Sequence, residues 1–444
     1  MSLFYYRGIK NLNQGDYSYA HSVLQSLCCL DCSRQFLQIS RNDMQNNNNY
    51  LLTNSVLDLL KCLYNGQEGN SQNVLTCFIN SYERHRPYIN TKNVLNHDPF
   101  HFIFFLLNFL HLENNKVQNV NNDINMDNQI LLNQQDDSFM FKLFQNFWIQ
   151  TQNSIISDNF FSIERYTYLC QNCQKYYYYG MKNLIRINVN DVINWRNKNN
   201  RMKAGANINL EDCLNCYFGE NKKTCKNCGI NNIDKQTELI IPAQVLIINF
   251  ERASHSNKAD IDFGTNLNVH QYINKSRTAG FNLNTNYILK ACISYYNNKY
   301  YADCYFNFNN NNYSWIRYMD EYTKILGSIK EIYDYEPQLL IYELDNKFNN
   351  NGSNYSNSSI NLFNSGFNSL NNQFNNNNNN NQFNFNGQFN NNYNGINNNN
   401  QFNNNNFNNN LFNNNINKNN NIQMNNNGFN NNQQFNVMNQ AYIP

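Results

Sequence analysis

The most restrictive feature of the sequence is the loss of charge after residue 347. From Phe348 to Pro444 the chain is mostly Asn with scattered Gln, Phe and Gly, and its only charged residue is Lys418. Such a segment cannot offset its own ordering entropy by burial, so we predict a disordered Asn-rich low-complexity tail over residues 348–444. Folding is then left to residues 1–347, which are long enough to bury a large core.

Charge and hydropathy exclude several classes of protein. The net charge is +2 and there is no dense block of Lys and Arg, which disfavours direct nucleic-acid binding. The apolar run Phe102–Leu107 is far too short to span a bilayer, so no membrane partner is expected. The first residues lack the basic start and apolar stretch of a signal peptide, which predicts an intracellular protein, cytoplasmic or nuclear. Its 13 cysteines are then expected to be thiols or metal ligands.

The hydrophobic pattern changes along the globular part. Apolar residues recur at helical spacing over 18–38 and Asn54–Tyr64, and Asp98–Leu112 is apolar nearly all round, with Asp98 as N-cap. After Ser157 the residues alternate and are rich in Tyr, Phe and Ile, which is typical of strands. We predict strands over Phe160–Leu169 and Tyr176–Val189, a short helix over Leu210–Phe218, and further strands towards the end. Helices followed by strands indicate an α+β fold.

Two CxxC pairs carry the clearest chemical signal. Cys170 and Cys173 form the first pair, and Cys225 and Cys228 form the second. Each pair directs two thiolates at one ion, and two pairs complete a tetrahedral four-sulfur zinc site, which is structural because it leaves no open position. The alternative is a set of buried free thiols. Two further pairs have the same spacing but lie in predicted helices, where we expect core thiols: Cys29 with Cys32, and Cys213 with Cys216.

Segments spread over residues 5–346 resemble, in order, the conserved boxes of the ubiquitin-specific protease family of ubiquitin carboxyl-terminal hydrolases. The similar segments are Gly8–Leu12 with Val23–Leu27, Asp98–Phe102 with Leu106–His111, Leu210–Leu214, Ile241–Arg252, Tyr300–Ala302, Trp315–Asp320 and Pro337–Tyr342. The resemblance implies one papain-like domain over residues 1–347, divided into fingers, palm and thumb. The two CxxC pairs fall where this family has a zinc-ribbon-like finger region.

The resemblance also implies where catalytic residues belong, and those positions are vacant here. The family needs a cysteine thiolate, a histidine base and an Asn or Asp that orients the histidine. Two registers of the first box place either Asp16 or Ser18 in the nucleophile position, and the second register puts His21 at a family Asn. Tyr300 occupies the histidine position and Met319 the orienting position. We therefore predict that none of these residues is catalytic.

This pattern predicts an inactive relative of the family that binds ubiquitin or another protein as a scaffold. Some family members without catalytic residues belong to RNA-processing assemblies, and the Asp16–Tyr17 pair resembles a spliceosomal one, so such an assembly is expected by analogy alone. The first alternative is an active cysteine-type deubiquitinase with a displaced site. The second alternative is an interaction protein that acts through its Asn- and Phe-rich tail.

Overall fold

A computed structural model describes most of the chain up to Asp345. The described residues are 7–10, 16–37, 50–85, 98–115, 137, 140, 141, 144, 148, 154–199, 201, 207–219, 221–225, 228–252, 260–275, 283–308 and 312–345. The tail predicted over residues 348–444 lies outside them, so the prediction of disorder stays a prediction.

Eight helices and sixteen strands can be bounded in this part of the chain. The helices are α1 (Ser18–Cys28), α2 (Asp31–Leu37), α3 (Leu51–Tyr64), α4 (Gln72–His85), α5 (Pro99–Asn114), α6 (Ile155–Phe160), α7 (Val189–Lys198) and α8 (Leu210–Phe218). The strands are β1 (Ile9–Lys10), β2 (Gly69–Asn70), β3 (Ser162–Cys170), β4 (Gln174–Lys182), β5 (Ile185–Asn188), β6 (Ile208–Asn209), β7 (Asn221–Lys223), β8 (Ile233–Ile241), β9 (Val245–Glu251), β10 (Ile261–Asp262), β11 (Asn266–Asn268), β12 (Asn286–Tyr296), β13 (Lys299–Phe308), β14 (Asn312–Met319), β15 (Tyr322–Ile325) and β16 (Glu336–Leu344).

The palm is an eight-stranded sheet that is covered on both faces. Its strands run in the order β15-β14-β13-β12-β16-β9-β5, and β11 pairs with β12. One face packs on the helices of the thumb, α1 to α6, and the other packs on α7 and α8. Along β9, Val245 and Ile247 face the core that the sheet shares with the thumb helices. Leu246 and Ile248 face the core that it shares with α7 and α8. Burial on both faces explains why this strand is apolar without alternation.

The fingers are a separate four-stranded antiparallel sheet. Its order is β4-β3-β8-β7, and β3 and β4 form a hairpin whose turn contains the first CxxC pair. A small cluster of buried residues lies in this region, and it consists of four tyrosines, one isoleucine and two of the four CxxC cysteines. The finger sheet thus buries far fewer apolar side chains than the palm, and cysteines form part of its small core.

The predicted α+β architecture with a separate finger region is confirmed, with several boundaries corrected. The predicted helix over 18–38 is interrupted at Cys29 and Leu30, which separate α1 from α2. The predicted strand Tyr176–Val189 is wrong as one element, because it is split into β4 and β5. Helix α4 was missed, as were the helical residues Met140, Phe141, Phe144 and Trp148, all of which are buried.

The cysteines and the lengths of the helices bear on two expectations from the sequence. All 13 cysteines lie in the described residues, and none of them forms a disulfide. Among the described helices, none has both the length and the apolar character that crossing a bilayer requires.

Candidate functional site

The two residues considered for the nucleophile position lie on either side of the start of α1. Ser18 is the first residue of the helix and is only 1% exposed, whereas Asp16 precedes the helix and is exposed. The Ser18 hydroxyl donates to Asp16 Oδ1 at 2.7 Å and accepts from the backbone N–H of Tyr300 at 3.2 Å. Its one proton and one of its lone pairs are therefore engaged within the protein.

Tyr300, which the family resemblance implies to be at the histidine position, lies on β13 next to Ser18. Its ring is half-buried, packs against the thumb core and lies 4.9 Å from the ring of Tyr295. Burial raises the pKa of Tyr300 above its ordinary value of 10.0, and the charges of Asp98 and Asp16 act in the same direction. The phenol therefore stays protonated at neutral pH and cannot serve as a general base.

Met319 is the last residue of β14, in register with Tyr322 on β15, and it is half-buried. A thioether is only a weak hydrogen-bond acceptor, so this side chain cannot orient a base as a carboxylate or an amide does. The next residue, Asp320, adopts a left-handed backbone conformation with φ of 51° in the turn between β14 and β15. This turn brings an acidic side chain towards α1.

The carboxylate of Asp320 belongs to a chain of buried hydrogen bonds that contains a histidine. His21 Nδ1 lies 2.7 Å from Asp320 Oδ1, and His21 Nε2 lies 2.8 Å from Ser71 Oγ. The three residues are 2%, 8% and 3% exposed respectively. The order Ser–His–Asp resembles that of a hydrolytic triad, but with so little exposure the group serves first to join three distant segments.

The same segments are joined by backbone contacts, so the hydrogen bonds form a closed circuit. The carbonyl of Asp320 accepts from the N–H of Ile9 at 3.0 Å, and the carbonyl of Gly8 accepts from the N–H of Gly69 at 3.3 Å. Strand β2 then leads into Ser71 and α4. A Cβ atom on Gly8 would lie 2.0 Å from the Asp320 carbonyl oxygen, so this close approach requires glycine.

Sequence reasoning placed the members of this circuit unevenly. One register of the first box put His21 at a family Asn position, and Asp320 appeared only as the last residue of the similar segment Trp315–Asp320. Ser71 was missed, because a single serine 50 residues from His21 carries no local signal.

A second histidine, His101, has its Nδ1 2.8 Å from Asp98 Oδ2, with 39% and 35% exposure for the two side chains.

The four cysteines of the two main CxxC pairs converge at the end of the finger sheet. Their sulfur atoms all lie within 4.8 Å of one another. The separations are 3.5 Å between the sulfurs of Cys170 and Cys228, and 3.9 Å between those of Cys173 and Cys225. Four sulfurs bound tetrahedrally at about 2.3 Å from one zinc ion lie about 3.8 Å apart, so this donor set fits the ion.

The backbone around each CxxC pair is shaped to bring its two thiols together. Gln174 follows the first pair with φ of 60°, and Gly229 follows the second pair with φ of 73°. The N–H of Gly229 donates to the carbonyl of Cys225 at 2.9 Å, which closes the second turn. The other two CxxC patterns are different, because all four of their cysteines are buried in or beside helices, as expected for core thiols.

Comparisons with known proteins agree with this geometry. The family model described as "Ubiquitin carboxyl-terminal hydrolase" matches residues 8–342. No curated protein gave a significant match. Among solved structures, the fold is similar to the SAGA Ubp8/Sgf11/Sus1/Sgf73 DUB module bound to ubiquitin aldehyde, with a TM-score of 0.51, 17% identity, and coverage of 76% of this chain and 69% of that chain.

Two further solved structures have the same level of similarity, which shows the fold alone. The SAGA Ubp8/Sgf11/Sus1/Sgf73 DUB module gives a TM-score of 0.50 at 17% identity, covering 76% of this chain and 67% of that chain. A yeast SAGA DUB module with a mutant Sgf73 gives 0.50 at 16% identity, covering 76% and 68%. Together with the family model, which matches well over half of the residues, these findings place the chain in the ubiquitin carboxyl-terminal hydrolase family.

Proposed function

We propose that this protein is a catalytically inactive member of its family that binds ubiquitin or another protein as a scaffold. The observation that carries the proposal is the state of Ser18, which we infer to fill the nucleophile position. Its hydroxyl is buried and bonded to Asp16 and to the Tyr300 backbone. Tyr300 offers no base beside it, and Met319 offers no acceptor that could orient one. All three positions are thus unsuited to acyl transfer.

An active site displaced to another cysteine is disfavoured at four thiols of the palm and thumb that are all buried. Burial raises the pKa of Cys28, Cys32 and Cys304 above the ordinary value of 9.0. Burial also raises the pKa of Cys292, to about 12. Thiols of this kind are protonated at neutral pH, whereas a cysteine nucleophile must be a thiolate.

The activity claim is tested with the full chain. We expect no cleavage of fluorogenic ubiquitin conjugates and no labelling by a ubiquitin probe whose C-terminus carries a thiol-reactive group. The reason for this expectation is that three positions in separate segments all lack their catalytic residue. Specific labelling of one cysteine, abolished when that cysteine is changed to Ala, would show that the displaced-site alternative is right.

The binding claim concerns which surface holds a partner. Solved relatives of this fold include a module bound to ubiquitin aldehyde, which supports ubiquitin as the first candidate. Tyr300 is larger than a histidine and lies half-buried beside Ser18, so we propose that ubiquitin binds through fingers and palm without inserting its tail. Ubiquitin and ubiquitin lacking its last residues should then bind with equal affinity. A large loss on truncation would mean that the cleft still holds the tail.

We also propose that the four converging cysteines hold one structural zinc ion. Cys170, Cys173, Cys225 and Cys228 would supply a closed set of four thiolates, so the metal would stabilise the fingers and take no part in chemistry. Elemental analysis of the purified protein should find about one zinc per chain. Its absence would overturn this assignment without affecting the claim of inactivity.

A further inference from the structure

A tyrosine hydroxyl lies against one sulfur of the cysteine cluster. The hydroxyl oxygen of Tyr176, on β4, is 3.3 Å from the sulfur of Cys225. Both side chains are buried, at 5% and 1% exposure. The ring of Tyr176 is held from the other side by Tyr168, its partner across β3 and β4, with ring centroids 4.9 Å apart and planes 8° from parallel.

The chemistry of a metal-bound sulfur fixes the direction of this hydrogen bond. A cysteine bound to zinc has lost its proton, so its sulfur can only accept, and the phenol must donate. Four thiolates around one divalent cation leave a net charge of −2 at the centre. A donor aimed at the most buried of the four sulfurs reduces the cost of that charge where little water reaches it.

We propose that Tyr176 is a positioning residue of the metal centre. Its hydroxyl donates to the Cys225 thiolate, fixes the orientation of that sulfur and slows the loss of the ion. The proposal rests on the zinc assignment above and extends it to a residue that no CxxC pattern contains. It predicts that removing one oxygen atom from Tyr176 weakens metal retention although all four ligands remain.

Tyr168 provides a matched control for this experiment. It is the same residue type, is equally buried at 4% exposure and stacks on the ring of Tyr176. Its hydroxyl is close enough to Cys225 for an electrostatic interaction, but in the described part of the chain no hydrogen bond joins it to a cysteine. Tyr176→Phe and Tyr168→Phe each remove one phenolic oxygen from the same stacked pair, so a packing effect alone would be similar in both variants.

The test uses the full-length protein and zinc itself. Zinc content is measured first, and the rate of zinc transfer to an excess of EDTA is then followed for the wild type and both variants. We expect Tyr176→Phe to release zinc on the order of 10-fold faster, which is the usual effect of losing a hydrogen bond to a metal ligand. Tyr168→Phe should stay within about twofold of the wild type.

Cobalt substitution gives a second readout that a packing defect would not reproduce. A thiolate without its hydrogen-bond donor is more electron-rich, so the sulfur-to-cobalt charge-transfer band should move to lower energy in Tyr176→Phe and not in Tyr168→Phe. Equal release rates and unchanged bands in both variants would overturn the role of Tyr176. A wild-type protein without zinc would overturn the metal site itself, and the two failures are thereby distinguished.

Discussion

Ser18 and His21 lie one turn apart on α1, and partners outside this helix bind the polar atoms of both. Ser18 is bonded to Asp16 and to the backbone of Tyr300, and His21 is bonded to Asp320 and Ser71. A buried polar group that loses its partner pays the full cost of desolvation. Removing one partner from these bonds therefore costs more stability than the intact bond contributes. Both side chains are thus part of the framework that holds α1 in place.

This reasoning predicts a large difference between two histidine–aspartate pairs of nearly equal length. His21→Ala removes a ring that is 2% exposed and leaves the buried Asp320 and Ser71 without their partner. We expect a loss of about 3 kcal/mol in the free energy of unfolding, measured by urea denaturation.

His101→Ala is the control for that substitution, because its pair with Asp98 is equally short but 39% and 35% exposed. An exposed pair contributes about 1 kcal/mol or less, so this variant should be nearly as stable as the wild type. If the two variants lose equal amounts, the buried hydrogen-bond circuit does not have the structural role assigned to it.

At the scale of elements, local signals in the sequence were sufficient to predict where a helix begins when those signals agreed with one another. Helix α8 has the predicted bounds, since Asn209 caps it and Glu211 and Asp212 fall in its first turn. Helix α5 has an Asp98 side chain that accepts from the N–H of Phe100, and Pro99 begins the helix. Both starts could be predicted because capping chemistry is local.

Elements whose signals are weak or non-local were missed. Helix α7 follows a strand directly and is largely polar, so only the Asn188 cap marked its start. Helix α4 has a buried face of four residues in an otherwise polar sequence. Ser71 joins His21 only after β2 has paired with β1, and pairing between segments 60 residues apart cannot be read from spacing.

The fingers should respond to metal removal as a unit. Their buried cluster is small and contains Cys170 and Cys225, so an ion that holds these thiols would supply much of the local stability. We expect EDTA to speed amide hydrogen exchange in β3 and β4 by at least about tenfold while β12 and β16 stay protected. Uniform exchange changes throughout the sheet of the palm would contradict an independent finger unit.

At the scale of the whole molecule, thiols buried in the core between the palm sheet and helices α7 and α8 make the free energy of unfolding depend on pH in the alkaline range. Burial raises the pKa of Cys292 and of Cys213 from 9.0 to about 12. Between pH 9 and 12 the folded protein therefore retains protons that the unfolded chain loses. The free energy of unfolding should fall as pH rises through this window, by up to about 1.4 kcal/mol per pH unit for each group.

Cys292→Ala tests the sign and the source of this dependence. Removing one thiol should make the decline above pH 9 shallower by roughly 1 kcal/mol per pH unit in urea denaturation. The cost of the cavity is read separately at pH 7, where the thiol is protonated in both states. A decline as steep as that of the wild type would show that Cys292 does not contribute to it.

The Asn-rich segment is proposed to be separate from the folded domain. Deleting Phe348–Pro444 removes 97 residues that include a single charged side chain, and such a composition cannot bury enough apolar surface to stabilise a core. The melting temperature of the truncated chain should lie within about 2 °C of that of the full chain. A larger drop would mean that this segment packs against the domain.

The carboxylate beside Ser18 also bears on how a thiol would behave at this position. Ser18→Cys, Tyr300→His and Met319→Asn would together place, at the three positions proposed for the catalytic residues, the residue types that the family uses. The sulfur would then lie next to Asp16, whose negative charge opposes formation of a thiolate, so a fourth change such as Asp16→Asn is needed. The first of these changes also disrupts a partly buried hydrogen bond, so a gain of catalysis at this position would begin with a loss of stability.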